Sequence, residues 1–172
     1  PGLLLSETLC QLPVEHEHEI ALTELPEVQG LSAPDWVYLD TETTGLSGGV
    51  GNLAFMVGVA RRDPAGSLRV RQYTLAGFSA EQAMLRDLIR WLGDEAVLVS
   101  FNGKCFDLPL LTSRLALHRL SDPFSRLHHL DLMYSLRWAY RERWPDCRLQ
   151  TAERLRMGLR RVDDLPGAEA PA

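Results

Sequence analysis

Apolar positions along this chain recur in two different periods. Trp36-Val-Tyr-Leu-Asp40, Leu53 to Ala60 and Ala96-Val-Leu-Val-Ser100 are short β-branched and aromatic runs that predict buried strands. Leu68 to Leu75 alternates apolar with polar residues, as a half-buried strand does. Thr43-Thr-Gly-Leu-Ser-Gly-Gly49 and Asp63-Pro-Ala-Gly66 supply turn chemistry between the first three strands. Connections that short predict an antiparallel meander. The helical period then takes over. Ser79 and Gln82 have the spacing of a capping box, and Ala83, Leu85, Leu88, Ile89 and Leu92 recur until Gly93. A second helix is predicted from Phe106 to Leu117. Leu127-His-His-Leu-Asp131 reads as a fifth strand passing into a helix of Leu132, Leu136 and Tyr140. A last helix spans Leu149 to Met157, closed by Gly158. The order predicts an α/β fold: a central mixed five-stranded sheet, made of the antiparallel three-stranded meander plus parallel strands, flanked by helices. Residues 1–34 are acidic, proline-punctuated and poorly periodic. They are expected to form an extended lead-in or edge hairpin with no independent domain, ahead of one domain over 35–172.

Composition narrows the class. The 172 residues are 45% apolar and 24% charged, which suits one globular domain and excludes a disordered tail or a disulfide scaffold. Cys10, Cys105 and Cys147 are far apart and unpaired in pattern, so a reducing compartment is expected. No run approaches 18 apolar residues and no secretory leader is visible, so a soluble, cytoplasmic protein with no membrane partner is expected. The net charge of −5 argues at first against a nucleic-acid partner, but its distribution argues the other way. Residues 1–42 hold nine acids and no Lys or Arg, whereas residues 43–172 hold 14 acids against 18 bases. Eight arginines fall between Arg137 and Arg161. Such asymmetry suits a polyanion, and equally a solvated helix face.

The positions of three acids carry the chemistry. Asp40 and Glu42 form a D-x-E at the end of a strand, where residues i and i+2 share a side. Carboxylates held together repel, and a hard divalent cation such as Mg²⁺ or Mn²⁺ resolves the conflict. Asp107 follows the fourth strand near a helix start, where it also suits the helix dipole. With the fourth strand beside the first, Asp107 meets the other two. Three convergent carboxylates suit two ions about 4 Å apart and phosphoryl transfer to water.

Tyr38-Leu-Asp-Thr-Glu-Thr-Thr-Gly-Leu46 resembles the first motif of the DEDD-type 3′→5′ exonucleases of the ribonuclease H-like superfamily. Ser100-Phe-Asn-Gly-Lys-Cys-Phe-Asp-Leu-Pro-Leu-Leu111 resembles their second motif. The stretch Gly45 to Gly58 and Asp163-Asp-Leu-Pro-Gly167 are similar to the YprB-like bacterial branch, and the likeness covers residues 36–167. It implies a ribonuclease H-like fold and a metal-dependent 3′→5′ exonuclease, hydrolysing single-stranded DNA or RNA ends with two ions, Mg²⁺ or Mn²⁺. It also implies Asp40, Glu42 and Asp107 as metal ligands and catalytic residues. Thr43, Gly45 and Leu46 would contact the 3′-terminal nucleotide, Leu46 as a wedge against its base, and Asn102 would hold the strand. The family's fourth acid lies in a Tyr/His-x₃-Asp motif, expected beyond Ala172, so the domain reads as C-terminally truncated. His118 and Asp122 fit the letters but come too soon after Asp107.

Asp131 follows the fifth strand and is a further candidate for the fourth acid, against a helix-capping role. Lys104, the chain's one lysine, is a candidate phosphate contact. His128 and His129 point to opposite strand faces, which opposes a joint metal site. His16 and His18 share a strand face, but three flanking glutamates make a solvated acidic stretch the expectation there. Cys105 lacks the partners of a nucleophile. Tyr134, Trp138, Tyr140 and Trp144 interleave with arginines in a base-stacking pattern, although the spacing also suits helix packing, and burial is expected for Trp138. The rival functions are a non-catalytic nucleic-acid-binding module on the same fold and a structure-selective endonuclease.

Overall fold

The computed structural model describes residues 2–11, 36–45, 51–94 and 96–162. The strands are β1 (Leu3–Cys10), β2 (Trp36–Thr43), β3 (Ala54–Arg62), β4 (Leu68–Leu75), β5 (Val97–Ser100) and β6 (His128–Asp131). The helices are α1 (Glu81–Leu92), α2 (Asp107–Leu117), α3 (Leu132–Tyr140) and α4 (Leu149–Arg156). All six strands join one mixed sheet in the order β1-β4-β3-β2-β5-β6. β2, β3 and β4 form the expected antiparallel meander, and β5 and β6 add in parallel on the other side of β2. The expectation of five strands is corrected to six, because Leu3–Cys10 pairs antiparallel along β4. Leu4, Leu5 and Leu9 of this edge strand are 62%, 52% and 57% exposed, so neither face is buried enough to impose an alternating pattern.

Successive strand residues point to opposite faces, and the two faces have separate cores. Val37, Leu39, Val57, Val59, Tyr73 and Leu98 face the helices and pack on Met84, Leu85, Leu88, Leu111 and Leu115. Each fully buried leucine there contributes about 1.5–3 kcal/mol. The opposite face holds a smaller cluster of Trp36, Val97, Val99 and Leu130, with Leu132 at the start of α3.

The expected Ser79–Gln82 capping box is absent. A 3₁₀ turn, Phe78–Ala80, runs into α1, whose N-cap is Ala80 with no side-chain bond. Buried Glu81 anchors this end instead. Its carboxylate accepts two hydrogen bonds of 2.5 Å from the Arg114 guanidinium of α2 and shares one of 2.7 Å with His118 Nε2. Asp87 of α1 accepts from the Tyr73 hydroxyl and from Arg71, both at 3.0 Å, which ties the helix to β4. Gly93 and Gly158 close α1 and α4 with φ of 73° and 68°, as expected for helix-ending glycines. Among the described residues no helix is long and apolar enough to cross a membrane.

Candidate active site

Parallel pairing of β5 with β2 brings the C-terminal ends of both strands side by side. Asp40 and Glu42 lie on the side of β2 that carries Trp36 and Tyr38. The loop 101–106 leads from β5 to α2, whose first residue is Asp107. Asp107 is 7% exposed, and one of its oxygens accepts a 2.5 Å hydrogen bond from the Thr41 hydroxyl, between the two acids of β2. The fold thus joins the first and second sequence motifs at one sheet end.

The electrostatics are those of crowded carboxylates. Burial pushes the Asp107 carboxyl above the usual range; the Thr41 hydroxyl opposes this and the charge of Asp40 adds to it. Asp40 keeps an exposed edge, yet crowding by the chain raises its carboxyl too, and Glu42 raises it further. The Thr41 backbone and the charge of Arg161 pull the other way. Mutual destabilisation of ionised acids is relieved by a cation, so this donor set fits a hard divalent ion. The fit is for two protein carboxylates. Among the described residues no three His, Cys, Asp or Glu side chains are arranged to hold one ion; the charge of Glu42 acts on Asp40, and that of Asp40 on Asp107. The pairing of β2 with β3 shifts register between Glu42 and Thr43, and such irregularities re-aim the side chains around them.

The turn after β2 is held from within. The Thr43 hydroxyl and Asn52 Nδ2 donate to the Gly45 carbonyl at 3.0 and 3.1 Å. A Cβ on Gly45 would stand 2.9 Å from Asn52 Oδ1, so the close approach requires glycine. Leu46 lies outside the described residues, as do His16, His18 and the segment 163–167.

The second loop is organised by Asp131, which is 2% exposed. Its carboxylate accepts N–H bonds from Asn102 (2.7 Å) and Lys104 (3.0 Å), and it caps α3 through the Met133 N–H (3.1 Å). Three backbone donors engage both oxygens, the environment of a capping carboxylate. Asn102 has φ of 68°, a conformation asparagine tolerates. The Ser100 hydroxyl accepts the Gly103 N–H at 3.2 Å and shares a 2.8 Å bond with His129 Nε2. Burial and the neighbouring charge of Lys104 hold the His129 ring below its usual range. Lys104 is exposed, with its ammonium 5.5 Å from the centre of the Tyr134 ring.

Other sequence candidates fall elsewhere. His118 is bonded to Glu81, and Asp122 accepts from Thr112 and from the Phe124 N–H. Trp138, expected to be buried, is 89% exposed, because Met133 takes the inward side of α3. Two participants escape sequence reasoning. Thr41 is hidden between the acids of the D-x-E, although its position there is the signal. Arg161, one of eight clustered arginines, is clasped by Glu153 at 2.7 and 2.8 Å and attracts Asp40.

The chain shares this architecture with known proteins. It is 32% identical over 178 aligned positions to YprB of Bacillus subtilis (strain 168), covering 94% of this chain and 43% of that one. E. coli exonuclease I in complex with a dT13 oligonucleotide superposes with a TM-score of 0.55 at 15% identity, over 69% of this chain and 35% of that one. The SSB/exonuclease I complex with the inhibitor CFAM gives 0.60 at 14% identity, over 74% and 37%. Identities that low show a shared fold. The chain spans less than half the length of the curated relative and about a third of exonuclease I. The family model RNase_H_2, of the RNase_H superfamily, matches residues 37–172, and on that match over most of its length the chain belongs to the RNase_H superfamily.

Proposed function

We propose that this domain is a metal-dependent 3′→5′ exonuclease that hydrolyses phosphodiester bonds at single-stranded DNA or RNA ends. The observation that carries the reading is the pairing of Asp40 with Asp107, delivered by separate elements to one sheet end, where burial disfavours both ionised forms and the charge of Asp40 adds to the cost at Asp107. These two carboxylates would hold Mg²⁺ or Mn²⁺, with Glu42 and the expected fourth acid completing a two-ion set. Such ions, when bound, activate water and neutralise charge on the phosphate. Thr41 fixes the Asp107 carboxylate through its hydroxyl bond. Arg161 sets a positive charge beside Asp40, where a phosphate would dock. Thr43, Gly45 and Leu46 would contact the terminal nucleotide, and Asn102 with Lys104 would hold the strand behind it. Asp131 acts in this reading by positioning the 102–104 loop. The three cysteines are free, which suits a cytoplasmic location.

The test is cleavage of a 5′-labelled single strand in Mn²⁺. Stepwise shortening from the 3′ end is expected, with Asp40→Ala lowering the rate by about a hundredfold or more, the scale of losing one charge-stabilising group. Cleavage indifferent to Asp40→Ala would sink the reading. The missing three-acid cluster among the described residues favours one rival, a non-catalytic nucleic-acid-binding module. Calorimetry separates the two, because the binder takes up no Mn²⁺. Cutting of a circular strand would instead indicate an endonuclease.

A further inference from the structure

We infer that the outer face of α3 is a stacking track for the single strand leading away from the active site; this rests on the nuclease-domain reading for where the strand begins. Tyr134, Arg137, Trp138 and Arg141 recur at i, i+3, i+4 and i+7, so they share one helix face. All four are exposed, Tyr134 by 47% and Trp138 by 89%. A tryptophan that open on a chain with well-packed cores marks an interaction surface. Its charge names the partner. No Asp or Glu occurs from Leu132 to Arg141; the neighbouring Glu142 lies 3.9 Å from Arg141, an exposed and loose pairing. Alternating rings and guanidinium groups suit a polyanion with flat bases: the rings stack on bases and the arginines meet phosphates.

The face connects to the site. Lys104 lies over Tyr134, and Cys105 Sγ is 3.4 Å from the Tyr134 hydroxyl. The same loop contains Gly103, where an added Cβ would stand 3.2 Å from Asp107 Oδ2. Asp131 fastens this loop to the first turn of α3. The route therefore runs Asp107, Lys104, Tyr134, Trp138, Arg141. From Tyr134 to Arg141 the helix rises about 10 Å, roughly three nucleotides at about 3.4 Å each.

Fluorescence anisotropy of dye-labelled dT3 and dT12 in EDTA, where no hydrolysis occurs, tests the inference. Trp138→Ala and Tyr134→Ala are each expected to weaken dT12 binding about 5- to 100-fold, the range of losing one stacked base. Binding of dT3 should be unchanged, and Trp138→Phe should restore most of the dT12 affinity. Arg137→Ala should lower the slope of log affinity against log salt by about 0.7. Unchanged dT12 affinity in both aromatic variants would overturn the track. So would a Trp138→Ala chain that binds normally but loses self-association in size-exclusion chromatography, which assigns the face to a second copy. A chain that binds dT12 through Trp138 yet cleaves nothing in Mn²⁺ would keep the track and remove the nuclease. Cleavage with a dT12 affinity blind to both rings would do the reverse.

Discussion

Asp107 is held by the fold where burial, and then the charge of Asp40, disfavours its ionised form. A carboxyl raised above its unfolded value contributes stability below about pH 3.8 and loses it as pH rises through the folded value. Without metal, the wild-type protein therefore bears the full penalty once the pH is above that folded value. Asp107→Asn keeps the shape and an acceptor for Thr41 while deleting the charge. Its melting temperature in EDTA should rise, by about 2–4 °C for each kcal/mol of repulsion removed. The further rise that Mn²⁺ gives the wild type should vanish in the variant. Differential scanning calorimetry with and without Mn²⁺ reads both, and an EDTA melting point below wild type would count against the crowding argument. At this scale the sequence was informative, because D-x-E and the second motif name the acids. It was silent on Thr41 as an anchor, because only the folded register places a hydroxyl opposite Asp107.

The α1–α2 contact shows what one buried ion cluster does for whole elements. Burial works against ionised Glu81, but hydrogen bonds from Arg114 and His118 outweigh it and hold the carboxyl below its usual range. A lowered carboxyl contributes stability above its unfolded value near 4.5 and loses it as pH falls through the folded one. Glu81→Gln should cost about 3 kcal/mol at neutral pH, since it strands a partly buried guanidinium, and it should flatten the acid limb of the stability curve. Urea titrations from pH 3 to 7 would show it; parallel curves for variant and wild type would refute it. Most elements were legible from periodicity, because they bury one strong stripe or run. Leu3–Cys10 was not, since its partner strand lies some sixty residues on and its side chains are open on both faces. The capping box failed for a related reason: the spacing of Ser79 and Gln82 is local, and tertiary bonds to Glu81 decided where α1 begins. Trp138 misled in the same way, because a helical spacing cannot say which face of the helix the sheet covers.

For the molecule as a whole, net charge is a poor guide and the placement of charge a good one. The acids near the start of the chain and the paired site account for the negative sum, while α3 and the segment after it are rich in arginine. The sheet is divided in a similar way. β2 stands where its antiparallel half meets its parallel half. The meander closes through short local turns, whereas β5 can join only after the chain has crossed over through α1, and such long-range pairings form slowly. The site therefore has an order in time. Asp40 and Glu42 are expected to be set on the locally paired meander before β5 and α2 bring Asp107 beside them. Ions that bind the finished pair should then leave the folding rate nearly unchanged and slow unfolding, as for any contact absent from the transition state. Stopped-flow refolding and unfolding with and without Mn²⁺ would read this, and a metal-accelerated folding limb would contradict it. Repulsion between the acids is then expected to be met only once β5 has paired with β2, on a meander that already carries the first two carboxylates.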